Sequence, residues 1–235
     1  MNAHTFTQFD EDLDYLHAEI LKMLKLTRRN TKNAINALLN GDKEKAENVI
    51  AADQIVNALE LHIDQAARLL IVHHQPVASD LRAVFSALKM TTELERISDL
   101  AACIAKVTRE IDLTTSTSEL AIMKPLLLNM FRLTRESIKQ RDPGLAAQVI
   151  SYDIHLNNSY SAVQRVMHSM MMENPSQTTQ CIALTNVAKR IERAGDHLKN
   201  IAQMVIYMTS GQEVRHIDAD QLAALLAEED DNDET

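Results

Sequence analysis

The 235-residue chain is short of the residues that build turns and sheets, with four glycines, four prolines and no tryptophan. A sheet protein of this length needs more turn residues, and more aromatic side chains, than this chain supplies. Strong helix formers such as Ala, Leu, Met, Glu, Gln and Lys are abundant instead. We therefore expect an all-α fold.

Cysteine and long apolar runs are also scarce. The two cysteines, Cys103 and Cys181, lie far apart in helical patterns, which excludes a disulfide scaffold and a CxxC metal site. The first residues show no basic stretch followed by an apolar core, and no apolar run approaches the roughly 18–20 residues that span a bilayer. We expect a cytoplasmic protein in a reducing compartment.

Negative charge is concentrated at one end of the chain. The formal net charge is −9, and six of the acidic residues fall within residues 228–234. We expect residues 211–235 to form an acidic and mostly disordered tail. The acidic balance argues against general nucleic-acid binding, although it leaves room for a local basic patch.

Turn residues divide the chain into six long helices that end near residues 39, 72, 111, 140, 172 and 209. Asp42, Ser79 or Asp80, Asp142 and Asn174 are the expected N-caps, and Gly211 is the expected last stop. We expect a linker near the midpoint at residues 113–119, which are rich in Thr and Ser. We expect His73 and His74 to be part of a loop. Long helices with short connections pack as antiparallel bundles. We expect two tandem three-helix bundles with internal pseudo-symmetry, residues 9–112 and 119–210.

An acidic motif occurs twice, as LERISDL at residues 94–100 and as IERAGDH at residues 191–197. Each copy places a Glu and an Asp four residues apart, so both carboxylates share one helix face. An Asp-x-x-x-Asn element precedes each copy, at Asp53 and Asn57 and at Asp153 and Asn157. Oxygen donors of this kind suit Mg, Mn or Fe better than structural Zn. The predicted metal ligands are Glu95, Asp99, Glu192, Asp196, Asp53, Asn57, Asp153 and Asn157.

Two alternatives remain open at these motifs. The acids can instead lie on solvated faces, salt-bridged to Arg96 and Arg193, because the same spacing occurs without duplication at Asp10 and Asp14. Gly195 costs about 1 kcal/mol in a helix relative to Ala. It indicates a close approach by a ligand or, equally, by a neighbouring helix.

Together with QPVASDLR at residues 75–82, these motifs resemble the PhoU family. The family pattern runs D-x-x-x-[DN], P-x-A-x-D-L-R and L-E-R-I-G-D, in that order, and the resemblance covers residues 9–210. The chain departs from the pattern at Ser98, where the family has Gly. It also departs after Pro175, where no Asp-Leu-Arg step follows.

The resemblance implies two similar bundles, a homodimer, and Fe or Zn clusters on E(D)xxxD motifs in some members. It further implies a non-catalytic role: negative control of phosphate uptake and of the phosphate-starvation response, through the ATPase of a phosphate ABC transporter and a sensor histidine kinase. The lack of P-loop, GxSxG and HExxH motifs agrees with this. The alternative is a metal-storage or metal-dependent bundle enzyme, although the duplicated acids are spaced as Glu-x-x-x-Asp and not as Glu-x-x-His.

Overall fold

The computed structural model describes residues 3–112 and 118–214, and within these ranges the secondary structure is helical. This confirms the all-α expectation, and the helix ends fall within a few residues of those predicted. The helices are α1 Ala3–Asn40, α2 Lys43–His74, α3 Ala78–Glu110, α4 Ser118–Gln140, α5 Pro143–Glu173 and α6 Thr178–Ser210, with a short 3-10 turn over Pro175–Gln177. The expected cap at Asn174 is wrong, because Asn174 precedes the 3-10 turn without a side-chain capping bond and the N-cap of α6 is Gln177.

Three predicted helix boundaries are confirmed in detail. Asp42 and Asp142 are N-caps, and their carboxylates accept hydrogen bonds at 2.9 Å from the backbone N–H groups of Lys45 and Leu145. Gly211 ends α6 in the left-handed region, at φ 78°, which glycine adopts without steric cost. These polar caps satisfy backbone groups that the helix itself leaves unpaired.

Two local predictions between α2 and α3 are wrong. The N-cap of α3 is Val77, which makes no side-chain capping bond, so neither Ser79 nor Asp80 caps this helix. His73 and His74 do not lie in a loop, because α2 continues through them and ends at the left-handed Gln75. Nε2 of His74 lies 2.9 Å from Oδ2 of Asp12, and this contact holds the last turn of α2 against α1.

The helices pack as two sets of three, α1–α3 and α4–α6, joined by α3 against α6 and α1 against α4. α3 and α6 run antiparallel at the centre: Gly211 lies beside Arg82 at one end, and Gln180 donates to the backbone oxygen of Asp112 at the other. One continuous apolar core runs through both sets. The predicted domain bounds stay a prediction, and of the predicted tail only residues 211–214 are described.

Within the described ranges, no helix combines the length and the apolarity that a membrane crossing requires.

Candidate functional site

The first acidic cluster lies between α2 and α3. Glu95 and Asp99 of α3 are partly buried, as are Asp53 and Asn57 of α2. Burial raises the pKa of Glu95, and the carboxylates of Asp99, Glu60 and Asp53 raise it further. Oδ1 of Asn57 is buried and has no hydrogen-bond partner. The cluster therefore gathers like charges and leaves an oxygen acceptor unsatisfied.

Arg96, the expected salt-bridge partner, neutralises this cluster poorly. Its Nε lies 3.6 Å from Oε2 of Glu95, and its Nη1 lies 4.0 Å from Oδ2 of Asp99. The Arg96 side chain is 60% exposed, and ion pairs that are this long and this exposed to solvent contribute little to stability. Glu60, which sequence reasoning did not assign to the site, joins the acids because it lies three residues after Asn57 on the same face of α2.

The second cluster, between α5 and α6, is more deeply buried. Asp153 and Glu192 are buried, while Asn157 and Asp196 are partly exposed. Burial raises the pKa of Asp153, and the pKa of Asp196 is raised by burial and by the carboxylates of Glu192 and Asp153. Nδ2 of Asn157 donates to Oδ2 of Asp153 at 3.0 Å, whereas Oδ1 of Asp153 and Oδ1 of Asn157 have no partner.

Two lysines enter the second cluster. Nζ of Lys189 lies 2.8 Å from Oε1 and 2.7 Å from Oε2 of Glu192, although only the contact with Oε1 is a well-directed hydrogen bond. Nζ of Lys199 lies 3.5 Å from Oδ2 of Asp153. Arg193, the partner expected from sequence, is exposed and forms no ion pair with the described residues. Along α6 the order is Lys189, Glu192, Asp196 and Lys199, at spacings of three, four and three residues. This spacing places both lysines on the same helix face as the acids, and the sequence prediction did not use it.

Among the described residues, no lysine pairs with the acids of the first cluster. By the repeat, Lys189 corresponds to Thr92 and Lys199 to Ala102. Both counterparts are uncharged. The two clusters therefore share their acids and differ in their counter-charge.

Gly195 permits close packing of α5 against α6. A Cβ at this position would lie 2.4 Å from Cδ2 of Leu156 on α5, well inside van der Waals contact. The corresponding first-half pair is Ser98 and the smaller Val56. Oγ of Ser98 donates to Oδ1 of Asp53 at 2.6 Å, and no such donor is available to Asp153. The contact with Leu156 favours helix packing as the reason for Gly195, and the Ser98 departure supplies the first cluster with a hydrogen bond.

Among the described residues, no three His, Cys, Asp or Glu side chains converge as a ready-made group for an ion. The donor chemistry nevertheless fits a hard cation, because buried carboxylate and amide oxygens in these clusters lack hydrogen-bond partners. The assignment of the eight predicted ligands stays a prediction.

A family model of the PhoU domain matches the chain twice, over residues 20–108 and 120–205. The chain belongs to the PhoU family. Each matched PhoU segment contains one acidic cluster, the first with Glu95 and Asp99 and the second with Glu192 and Asp196.

Curated PhoU relatives match over nearly their whole length. The PhoU homologue of Burkholderia sp., named a phosphate-specific transport system accessory protein, is 33% identical over 95% of this chain and 97% of the relative. The accessory protein PhoU of Escherichia coli K12 is 31% identical over 98% of this chain and 97% of the Escherichia coli protein. Both names describe accessory proteins of a transport system and not enzymes.

Solved PhoU structures share the fold. PhoU from Pseudomonas aeruginosa superposes with a TM-score of 0.82 at 29% identity, covering 87% of this chain and 100% of that one. The phosphate transport system regulatory protein PhoU from Streptococcus pneumoniae superposes with a TM-score of 0.83 at 25% identity. The match covers 88% of this chain and 99% of that one.

Proposed function

We propose that this protein is a cytoplasmic accessory regulator that restrains high-affinity phosphate uptake and the phosphate-starvation response. The observation that carries the proposal is the double match to the PhoU domain, which accounts for both halves of the chain. Relatives over nearly the full length are named accessory proteins of phosphate-specific transport, and one structural relative is named a phosphate transport system regulatory protein.

The proposed partners are the ATPase of a phosphate ABC transporter and a phosphate-sensing histidine kinase. We further propose that the protein acts as a homodimer, because a two-fold dimer offers the same surface twice to partners that are themselves symmetric. A regulator of this kind works by contact and needs no catalytic residues of its own.

Deleting the gene tests this role. We expect a phosphate-starvation reporter to rise in phosphate-rich medium, and the intact gene supplied in trans to restore repression. Unchanged reporter output together with normal polyphosphate content would contradict the proposal. Oxygen- or peroxide-dependent turnover by metal-loaded protein would instead favour the bundle enzyme.

We also propose that the acidic clusters bind Mg, Mn, Fe or Zn ions. Residues Glu95, Asp99, Asp53 and Asn57 would hold an ion in the first half, and the corresponding residues Glu192, Asp196, Asp153 and Asn157 one in the second. The support is the set of buried oxygen acceptors without partners. A bound cation would satisfy these acceptors and offset the mutual repulsion of the carboxylates.

The metal proposal is tested by elemental analysis and by Mn²⁺ titration of the double variant Glu95→Ala/Asp99→Ala. Binding in the first half should be lost while the protein stays folded, because a helical core of this size needs no metal to hold it together. Asp10→Ala/Asp14→Ala, which removes two exposed α1 acids of the same spacing, is the matched control. If both variants bind as much metal as the parent, the motif acids are ordinary surface carboxylates.

A further inference from the structure

Positive charge is concentrated on α1 and α4, although the protein as a whole is acidic. Residues 17–36 and 124–141 contain ten Lys or Arg and only two acids, a local excess of eight positive charges in a chain of net charge −9. Their exposed centre forms a surface that we call the basic face, made of Lys25, Arg28, Lys32, Arg132, Arg135 and Lys139.

The two helices bring these charges together because they pack antiparallel. Nζ of Lys124 donates to Oδ1 of Asn36 at 2.7 Å, and Nη2 of Arg141 lies 3.2 Å from Nδ1 of His17. Between these two contacts lies a groove of about 330 Å³ lined by four cations of the basic face, with Leu24, Phe131 and Glu136 completing it. Burial and the neighbouring Arg141 lower the pKa of His17 to about 4, so this histidine stays neutral at pH 7.

Most of the positive charge on the basic face has no counter-charge within the described residues. Arg135 bonds to Glu136, and Arg132 bonds to the neutral side chain of Asn129. No ion pair is formed with described residues by Lys25, Arg28, Lys32 or Lys139. None of the large exposed apolar side chains of the described residues lies in the face, and Leu24 and Phe131 are buried. The occupant must therefore be held by charge and not by apolar insertion.

We propose that the basic face binds the acidic segment 228–234 of the same chain. This segment holds six acids among its seven residues, which complements the excess of positive charge on the face. Because both partners belong to one chain, binding benefits from an effective concentration in the millimolar range. The segment thereby competes with any external polyanion for this surface.

The tether is long enough for this contact. Val214, the last described residue, is buried near the start of α3, since Gly211 lies against Arg82. α1 begins at the same end of the molecule, where His74 at the end of α2 contacts Asp12. Lys32 lies about 30 Å along α1 from Asp12. The 14 residues from Val214 to the first acid of the segment span up to about 45 Å when extended.

Zero-length crosslinking with a carbodiimide tests the contact, because it joins carboxylates only to amines that touch them. In the full chain at low salt we expect mass spectrometry to find residues 228–234 joined to Lys25, Lys32 and Lys139 within one chain. Lys43, the first residue of α2, should give no such product. The yield should fall at least fivefold in 0.5 M NaCl, where screening shortens to a few ångströms.

Charge reversal separates specific docking from random contact. Arg28→Glu/Arg132→Glu removes charge from the basic face without removing an amine that can react, and it should lower the crosslink yield at least fivefold. Arg68→Glu/Arg165→Glu makes the same change of charge at exposed sites elsewhere and should leave the yield unchanged. Equal yields from both variants would overturn the proposal, as would crosslinks spread evenly over all lysines. Crosslinked dimers as the main product would assign the basic face to a second copy of the chain. If phosphatidylglycerol vesicles or duplex DNA bound equally well with and without residues 228–234, the segment would not cover the basic face.

Discussion

A single residue distinguishes how the two repeats pack. The hydroxyl of Ser98 donates to Oδ1 of Asp53, and the first-half residue that corresponds to Leu156 is the smaller Val56. Gly195 faces the larger Leu156, which has taken the volume that a side chain would fill. At corresponding positions, the first half thus combines Ser98 with Val56 and the second half combines Gly195 with Leu156.

Gly195→Ala should destabilise the protein by about 1–3 kcal/mol, since overpacking at Leu156 outweighs the gain of about 1 kcal/mol in helix propensity. Adding Leu156→Val, which copies the first-half pair, should recover much of that loss. Urea unfolding of the parent, both single variants and the double variant measures the coupling. Strict additivity, or a Gly195→Ala variant as stable as the parent, would contradict the packing argument.

Residue-level prediction from the sequence succeeded at three helix ends, failed at the start of α3, and missed the contacts whose partners come from another helix. The caps Asp42 and Asp142 and the stop at Gly211 follow from local chemistry, so they were predictable. The close approach of Leu156 to Gly195 and the hydrogen bond of Ser98 to Asp53 depend on how closely two helices approach. That distance is set by the whole core and is not encoded in a spacing pattern.

At the scale of the helix, α6 and α3 present the same acids with different counter-charges. Lys189 and Lys199 of α6 stand beside Glu192 and Asp153, where a bound cation would compete with them. The hydrogen bond to Glu192 raises the pKa of Lys189, so its ammonium keeps its charge at neutral pH. α3 has Thr92 and Ala102 instead, so among the described residues no lysine competes with a cation there, and Arg96 lies no closer than 3.6 Å to Glu95.

This difference predicts unequal metal binding by the two halves, if the clusters bind metal as proposed. Lys189→Thr/Lys199→Ala should raise the Mn²⁺ affinity of the second cluster at least tenfold, because both competing ammonium groups are gone. Thr92→Lys should weaken binding in the first cluster by a similar factor. Electron paramagnetic resonance titration of Mn²⁺ measures both changes, with Lys106→Ala, at an exposed site on α3, as the control. Equal affinities in the parent, or no gain in the lysine variant, would show that the lysines do not compete.

At the scale of the whole molecule, a polar contact joins the two halves along α3 and α6. Oε2 of Glu93 accepts hydrogen bonds from Nδ1 of His197 at 2.6 Å and from Nδ2 of Asn200 at 3.0 Å. Burial alone would raise the pKa of Glu93, but these hydrogen bonds and the charges of His197 and Arg96 hold it below its ordinary value. The sequence places His197 beside an acidic motif but gives no sign that its partner lies in the other half.

Glu93→Gln should therefore destabilise the protein by about 1–3 kcal/mol at neutral pH, the range for losing hydrogen bonds to a charged group. A carboxylate whose pKa is lower in the folded than in the unfolded state stabilises the fold above the unfolded pKa, and this contribution is lost as the pH falls through the folded pKa. The stability gap between parent and variant should thus be full at pH 7 and should begin to close below about pH 4, where the unfolded carboxylate takes up protons. Urea unfolding at pH 7, 5 and 3.5 measures the gap, with Glu11→Gln, an exposed acid on α1, as the control that changes little at any pH. A gap that stays constant across this range would show that the charge on Glu93 does not hold the two halves together.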